Sequence, residues 1–468
     1  MLFVELRFFL FAAVVFAVYW SLSHNGVRKV WLLAVSYVFY GAWDWRFLSL
    51  IGLSTGLDFI LARQLGCTDG QQRRRLLLVA SLAVNLGLLG AFKYFNFFAA
   101  SAADLLRLLG FVVQERTLAI VLPVGISFYT FQSLSYVVDV YRRQLSATSS
   151  LIDFALYVAF FPQLVAGPIV RAGDFLPQLT TARRFSEVRV RPALLLFLIG
   201  FFKKACISDN LAPYVDLYFA DPGNFDAASA WLAVLFYSVQ IYCDFSGYSE
   251  MGIASAALLG YRLCENFRHP YLASNLSEFW RRWHISLSNW LRDYVYVPLG
   301  GNRRGRWRTS ANLLTTMFLG GLWHGAAWTF VLWGTMHGLA LIVQRAVTAW
   351  SGGFKRYGSL ATVLGTLLPC HWLGATWVLF RAPDLRGAAL VLEAYLGFVS
   401  HGASSLPGVL WLHLACLAVA HYLSWRADLY GWASRVSPSL FATLYGSSVA
   451  ACLCLLPSGH RPFIYFQF

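Results

Sequence analysis

The sequence predicts an all-α polytopic membrane protein: an irregular bundle of about ten to twelve transmembrane helices, with re-entrant and interfacial helices around a central cavity or tunnel. Three observations predict it. Of the 468 residues, 58% are hydrophobic, 17% aromatic and only 13% charged, whereas soluble domains carry roughly 25% charged residues. Apolar runs near the ~20 residues needed to span a bilayer recur from end to end. Gly and Pro cut several of these runs at depth, which is tolerated only where protein or a cavity covers the freed backbone groups. No stretch is long and polar enough to form a separate soluble domain, so residues 1–468 read as a single integral-membrane domain.

The first segment, Phe3–Leu22, reads as a retained helix, because no small-residue cleavage site follows it. Val30–Trp43, Phe47–Ala62, Leu76–Phe92 and Leu118–Val138 follow. Arg28 and Lys29, Arg63 and Arg73–Arg75, and Arg142 and Arg143 then fall on one side, which the positive-inside bias makes cytoplasmic, with the amino terminus outside. Ile152–Val170 breaks this alternation, since five arginines between Arg171 and Arg191 follow it. It holds Pro162, Gly167 and Pro168, and proline removes a backbone donor and breaks helices. It therefore reads as a segment that dips in and returns, over a cavity. Pro192–Cys206 comes next, then a loop from Asp209 to Asp226 with four aspartates and no Lys or Arg, suited to the outer face. After Ser229–Phe245, the block Tyr261–Arg308 carries nine arginines. Within it Trp280, Trp283, Leu287, Trp290, Leu291 and Tyr294 recur at helical spacing, which predicts one amphipathic helix in the cytoplasmic interface. Ala311–Gly321, Ala326–Ala346, Leu360–Phe380, Val409–Leu423 and Leu440–Leu455 complete the bundle. The chain does not divide into matched halves, which weakens a transporter reading. The net charge of +15 sits in short arginine clusters between apolar runs, a topological pattern that argues against nucleic acid as a partner. Eight cysteines without a CxxC pair give neither a disulfide framework nor a metal site.

Ionisable residues at membrane depth are rare and mark pathways or sites. The run GGLWHGAAWTFVLWGTMHG carries two, His324 and His337. On one unbroken helix their 13-residue spacing is about 20 Å of rise and about 140° of rotation, so they cannot share a substrate. Gly320, Gly321 and Gly325 suggest a break around His324, one that does not bring the two together, and leave room for a ligand beside it. An imidazole can act as a general base near neutral pH, which makes His324 the first catalytic candidate and His284, in RRWHISLS, the second. Asp139 and Asp244, placed at cytoplasmic helix ends, read as partners for arginine. Walker and HExxH motifs are absent from the sequence.

FWRRWHISLSNWLRDYVYVPLGGNRRG, followed by GGLWHGAAWTFVLWGTMHG, resembles the signature of the membrane-bound O-acyltransferase superfamily. VGISFYTFQSLSYVVDVYRR, PQLVAGPIVR, YCDFSGYSEMGIASA and the terminal FIYFQF are similar to its bacterial polysaccharide-modifying branch. The resemblance implies that His324 is the catalytic histidine, with His284 the second active-site member and His337 of undefined role. It implies a multi-pass protein of the bacterial inner membrane. Such a protein moves an acetyl group from a cytoplasmic thioester, acetyl-coenzyme A or another acyl thioester, to O-acetylate an exopolysaccharide such as alginate. It further implies periplasmic polysaccharide O-acetyltransferase partners, with no bound cofactor and no metal. Another polymer, such as cellulose or teichoic acid, stays open as the target. So does a transporter or export component without chemistry of its own. The arginine-rich mouth, with Arg303, Arg304 and Arg306, suits an anionic donor as well as lipid headgroups. In the carboxyl-terminal tail RPFIYFQF, Arg461–Phe468, Tyr465 is positioned by sequence as an acyl relay, although aromatic anchoring at the interface also explains such a tail.

Overall fold

The structure, a computed structural model, describes all residues except 115–116, 166, 351–358, 458, 460 and 465–468. The described residues form helices and loops without a strand, apart from an isolated bridge between Phe225 and Ser404. Among the described residues, four helical stretches are long and apolar enough to cross a membrane: Trp45–Gly66, Gln71–Leu108, Ala227–Leu258 and Trp328–Trp350. Leu6–Ser21 and Pro438–Cys454 are shorter apolar helices. The all-helical membrane architecture is therefore the one expected. The chain divides into two compact units.

The first unit, Met1–Ala193 with Met251–Cys264, holds α1 (Leu6–Ser21), α2 (Asn25–Gly41), α3 (Leu48–Gly66), α4 (Gln71–Leu89), α5 (Phe95–Leu108), α6 (Ile126–Tyr141), α7 (Leu151–Ala159), α8 (Phe161–Leu164) and α9 (Ala172–Leu179). Polar groups buried between these helices are satisfied by one another. Asp58 on α3 accepts from Ser81 at 2.6 Å and Asn85 at 2.9 and 3.0 Å on α4, and from Ser133 on α6. Arg74, buried in the first turn of α4, donates to the carbonyls of Leu65, Thr68, Val140 and Tyr141 at 2.6–3.1 Å. It thereby closes the carbonyl ends of α3 and α6, which a helix leaves unpaired. Arg28, also buried, donates to the carbonyls of Leu22 and Arg183 and lies over the rings of Tyr19 and Trp20. These two arginines are thus interior fasteners, not only topological charges.

The segment expected to dip and return is broken where proline breaks it. The nine residues of α7 rise about 14 Å against a ~30 Å hydrocarbon core, and Pro162 opens α8. Side chains take up freed backbone groups: Phe161 N–H donates to Ser36 Oγ at 3.1 Å, and Gln163 Nε2 donates to the Tyr157 carbonyl at 2.6 Å.

The second unit, Leu194–Glu250 with Glu265–Phe468, begins within α10 (Val190–Phe201). A π turn, Phe202–Ser208, leads into α11 (Asp209–Ala220), then α12 (Ala227–Leu258), α13 (Leu276–Arg282) and α14 (Ile285–Leu291). A second π turn, Arg292–Tyr296, precedes α15 (Gly305–His324), α16 (Trp328–Trp350), α17 (Ser359–Arg381), α18 (Leu385–Gly397), α19 (Leu410–Arg426), α20 (Leu429–Arg435) and α21 (Pro438–Cys454). Two expectations are corrected here. The aspartate-rich loop is largely helix, and Asp209 is buried against Lys204. The single interfacial helix is two helices, broken at Trp283 and His284, where His284 takes a left-handed conformation with φ 43°.

The hairpin of α15 and α16 forms the scaffold of this unit. Gly320 and Gly321 do not break α15; they lie inside it, and the chain reverses after His324. A Cβ on Gly321 would meet the Phe330 carbonyl and Gly334, and one on Gly334 would meet the Met317 carbonyl. Small residues thus let the two backbones touch, the usual route to tight helix packing where lipid supplies no hydrophobic drive. The methyl of Gly334→Ala must push backbone apart. We expect it to destabilise the fold by about 1–3 kcal/mol, read as a lowered unfolding midpoint in detergent; an unchanged midpoint would contradict this close approach.

Candidate active site

His324 ends α15 and His284 sits at the break between α13 and α14. The fold brings the two rings to 6.5 Å between centroids, and both side chains are buried. Aromatic rings enclose them. Trp323, Trp333 and Phe380 lie 5.0–5.1 Å from His324, and Phe245 meets His284 edge-on at 4.6 Å. The glycine beside His324 does not open space for a ligand, as the sequence suggested. A Cβ on Gly325 would strike the Phe330 ring, so the missing side chain makes room for protein.

The orientation of His284 is set by Asn266. Asn266 Nδ2 donates to Ser249 Oγ at 3.1 Å, which directs its Oδ1 to the histidine side. That oxygen accepts from the Ser286 hydroxyl at 2.9 Å and the Ser286 N–H at 3.2 Å, and lies 3.2 Å from His284 Nδ1. An acceptor at that distance places the imidazole proton on Nδ1 and the lone pair on Nε2, the tautomer a general base needs. The Asn266 carbonyl also accepts from Ile285 N–H at 2.9 Å, holding the strained turn in place. Asn266 carries no sequence signal, because polar residues of this type also end helices and fill loops throughout the chain; Ser286 and Ser249 lie inside the WHISLS and YCDFSGYSEM motifs, which do not reveal that they meet through Asn266.

His337 comes nearer to His324 than the sequence allowed. The reversal after His324 places both rings on Trp333, at 5.0 and 4.8 Å. Their chemistry differs. Thr376 Oγ1 donates to the Leu373 carbonyl at 3.0 Å, so it accepts from His337 Nε2–H at 3.1 Å. His337 therefore ties α16 to α17.

Asp244 lies inside α12 rather than at its end, and pairs with Lys204 at 2.6 Å instead of an arginine. Lys204 is the residue the sequence reading passed over, although a lysine within FLIGFFKKACIS is a conspicuous charge in an apolar run. Arg303, Arg304 and Arg306 are exposed and, among the described residues, pair with no carboxylate; Arg306 lies over the Trp307 ring. Arg306 and His324 stand at opposite ends of α15, about 27 Å apart by helical rise. Other arginines of the block are used internally. Arg268 pairs with Glu265 at 2.5 Å, and Arg282 pairs with Glu278. Partial burial opposes ionisation of Glu278, but hydrogen bonds from Ser274 and the Arg282 charge outweigh it and hold the carboxyl below its ordinary range. Among the described residues no cluster of His, Cys, Asp and Glu could hold a metal. A cavity of about 290 Å³ lies at α11 and α18, lined by residues such as Phe219, Arg386 and Leu390; neither His284 nor His324 lines it. Tyr465 lies outside the described residues; the chain leading to it, Arg461–Ile464, is described, and its Phe463 packs on Phe245 at 5.7 Å, the ring that meets His284.

The family described as MBOAT, membrane-bound O-acyltransferase, has a model that matches residues 141–362, a span that contains His284, His324 and the α15–α16 hairpin. The chain is 37% identical to the probable alginate O-acetylase AlgI of Pseudomonas putida, over 98% of both chains. It is 35% identical to the peptidoglycan O-acetyltransferase of Helicobacter pylori, over 83% of this chain and 76% of that one. A more distant similarity, 24%, covers 53% of this chain and 66% of the teichoic acid D-alanyltransferase of Bacillus subtilis.

The tether role of His337 is testable without reference to chemistry. Thr376→Val removes its acceptor and leaves a buried imidazole donor unpaired, which costs about 1–3 kcal/mol. We expect a lowered unfolding midpoint, matched by His337→Ala, with activity per folded molecule retained in Thr376→Val. Loss of activity at unchanged stability would move His337 into the reaction.

Proposed function

Because the chain belongs to the membrane-bound O-acyltransferase family, we propose that it takes an acetyl group from a cytoplasmic thioester and passes it across the bacterial inner membrane for O-acetylation of alginate. It is a multi-pass membrane O-acyltransferase of polysaccharide O-acetylation, as the family and relatives indicate. The observation that carries the chemistry is the pair of buried imidazoles, His324 and His284, delivered from two separate elements to 6.5 Å.

In the proposed reaction His324 removes the proton from an acceptor hydroxyl as its oxygen attacks the thioester carbonyl. The carbon–sulfur bond then breaks, and the departing thiolate takes up the proton held on the imidazolium. His284, with its lone pair on Nε2, supports the proton transfer. The aromatic cage excludes water, which would otherwise hydrolyse the thioester. Tyr465 is the proposed first acceptor, whose acetyl ester a periplasmic O-acetyltransferase partner then consumes. A tyrosine relay explains how a thioester on one face feeds an ester on the other without the donor crossing. Arg303, Arg304 and Arg306, which pair with no carboxylate among the described residues, are the proposed contacts for the phosphates of acetyl-coenzyme A or for another anionic acyl carrier. Donor and imidazole then engage opposite ends of α15, which requires an extended donor. The similarity to a peptidoglycan O-acetyltransferase supports peptidoglycan as a second polymer to examine.

His324→Ala is expected to reduce polymer acetylation by about a hundredfold to ten-thousandfold, measured on isolated polymer from cells with normal protein levels. Near-normal acetylation would remove His324 from the reaction. Tyr465→Phe keeps the ring and removes one hydroxyl; the relay predicts a loss as deep as that of His324→Ala and an acetyl mass on the wild-type tyrosine, while simple anchoring predicts a silent change. Replacing Arg303, Arg304 and Arg306 with glutamine should raise the donor KM at unchanged kcat, with the difference from wild type narrowing as salt screens the native charges. An unchanged KM assigns these arginines to topology instead.

A further inference from the structure

A buried ion cluster outside the proposed proton transfers grips the backbone of Arg461–Ile464. Lys204, in the π turn after α10, is 1% exposed and its Nζ lies 2.7 Å from Asp209 Oδ1 and 2.6 Å from Asp244 Oδ1. The same nitrogen donates to the Arg461 carbonyl at 3.2 Å. Asp244 turns its second oxygen to the segment, and Oδ2 accepts from the Ile464 N–H at 2.8 Å. Between these two grips Phe463 is fully buried, packed on Tyr248 at 4.6 Å and on Phe245 at 5.7 Å. At the entrance, the Arg461 guanidinium lies 3.1 Å from Asp216, which also pairs with Arg381.

Stability alone is a poor reason for such a cluster. Buried ion pairs often contribute no more than an apolar packing of the same volume. One lysine between two carboxylates also leaves a net negative charge. What the cluster supplies is a charged donor and a charged acceptor for a stretch of chain whose own backbone is not in regular secondary structure from Arg461 to Phe463. Backbone groups are obligatory hydrogen-bonding groups, and at depth no water replaces these partners. The grips act on backbone atoms at positions three residues apart, and the pocket at Phe245 and Tyr248 reads one side chain between them. Together they fix both direction and register.

We propose that Lys204 and Asp244, with Asp209 as the lysine's second carboxylate, are positioning residues: they clamp Arg461–Ile464 in one register against Phe245, the ring that also meets His284, and so set where the next residue in the chain, Tyr465, is delivered. The inference rests on the reading of Tyr465 as acyl acceptor, but the clamp itself is measurable without activity.

Hydrogen exchange at the Phe463 and Ile464 amides of the full chain in detergent reports the clamp directly. Wild type is expected to protect Ile464. Asp244→Ala removes its acceptor and should accelerate that exchange at least tenfold, while amides of α15 and α16 keep their protection. The second variant acts on the other grip: Lys204→Met with Asp209→Asn removes the donor to the Arg461 carbonyl while keeping the net charge of the cluster at its native value. It should also release the segment. Ile464→Pro removes the donor and leaves the ion cluster whole, and should reduce polymer acetylation as the other two do. Unchanged exchange in both cluster variants overturns the clamp. Released exchange with full acetylation keeps the clamp and overturns the reading of Tyr465 as acceptor.

Discussion

Polar groups at membrane depth have no water to turn to, so each must find its partner inside the protein. The structure is organised around that constraint. Asp58 ties α3, α4 and α6 together because three neighbouring side chains point donors at it. Arg74 spends its guanidinium protons on carbonyls that the ends of α3 and α6 would otherwise leave bare, and Arg28 donates to the carbonyls of Leu22, just after α1, and Arg183, in a loop. The break at Phe160 and Pro162 survives because Ser36 and Gln163 reach backbone groups around it. In the second unit the same requirement joins Lys204 to Asp209 and Asp244.

The constraint also separates three histidines that look alike in sequence. His337 donates to a threonine on the next helix and becomes a fastener. His284 faces an amide oxygen whose other end is held by Ser249, and this fixes its proton on one nitrogen and its lone pair on the other. His284 pays for its place with a left-handed backbone, a conformation that costs about 1–3 kcal/mol for a residue with a side chain. Such strain persists where surroundings over-determine it, and here the Asn266 backbone and side chain both bond to the turn. His324 sits among the rings of Trp323, Trp333 and Phe380. Its position comes from the end of α15 and the reversal behind it.

That reversal rests on glycine for steric reasons. Gly321 and Gly334 meet across the hairpin, and Gly325 lies under the Phe330 ring. The approach of α15 to α16 brings Trp333 between His324 and His337. Histidines far apart on one helix thereby become neighbours of one ring. A chain that bends at the residue after a histidine gives that histidine a fixed exit direction, which suits a group required to meet a partner from another element.

The sequence by itself determined what composition and local chemistry control. Low charge content and repeated apolar runs set the all-helical membrane class, Pro162 set a break in the segment 152–170, and the WHISLS and LWHG motifs pointed to His284 and His324. Those features act within a few residues, so they are legible along the chain. Tertiary structure alone decided which polar groups meet. Asn266 is 18 residues from His284, Thr376 is 39 from His337, and Arg461 is 257 from Lys204. No periodicity carries information over those separations. The roles of the glycines were misread for the same reason: a missing side chain looks identical in sequence whether the space it leaves is filled by a ligand or by Phe330, and only the packing of α15 on α16 decides between them.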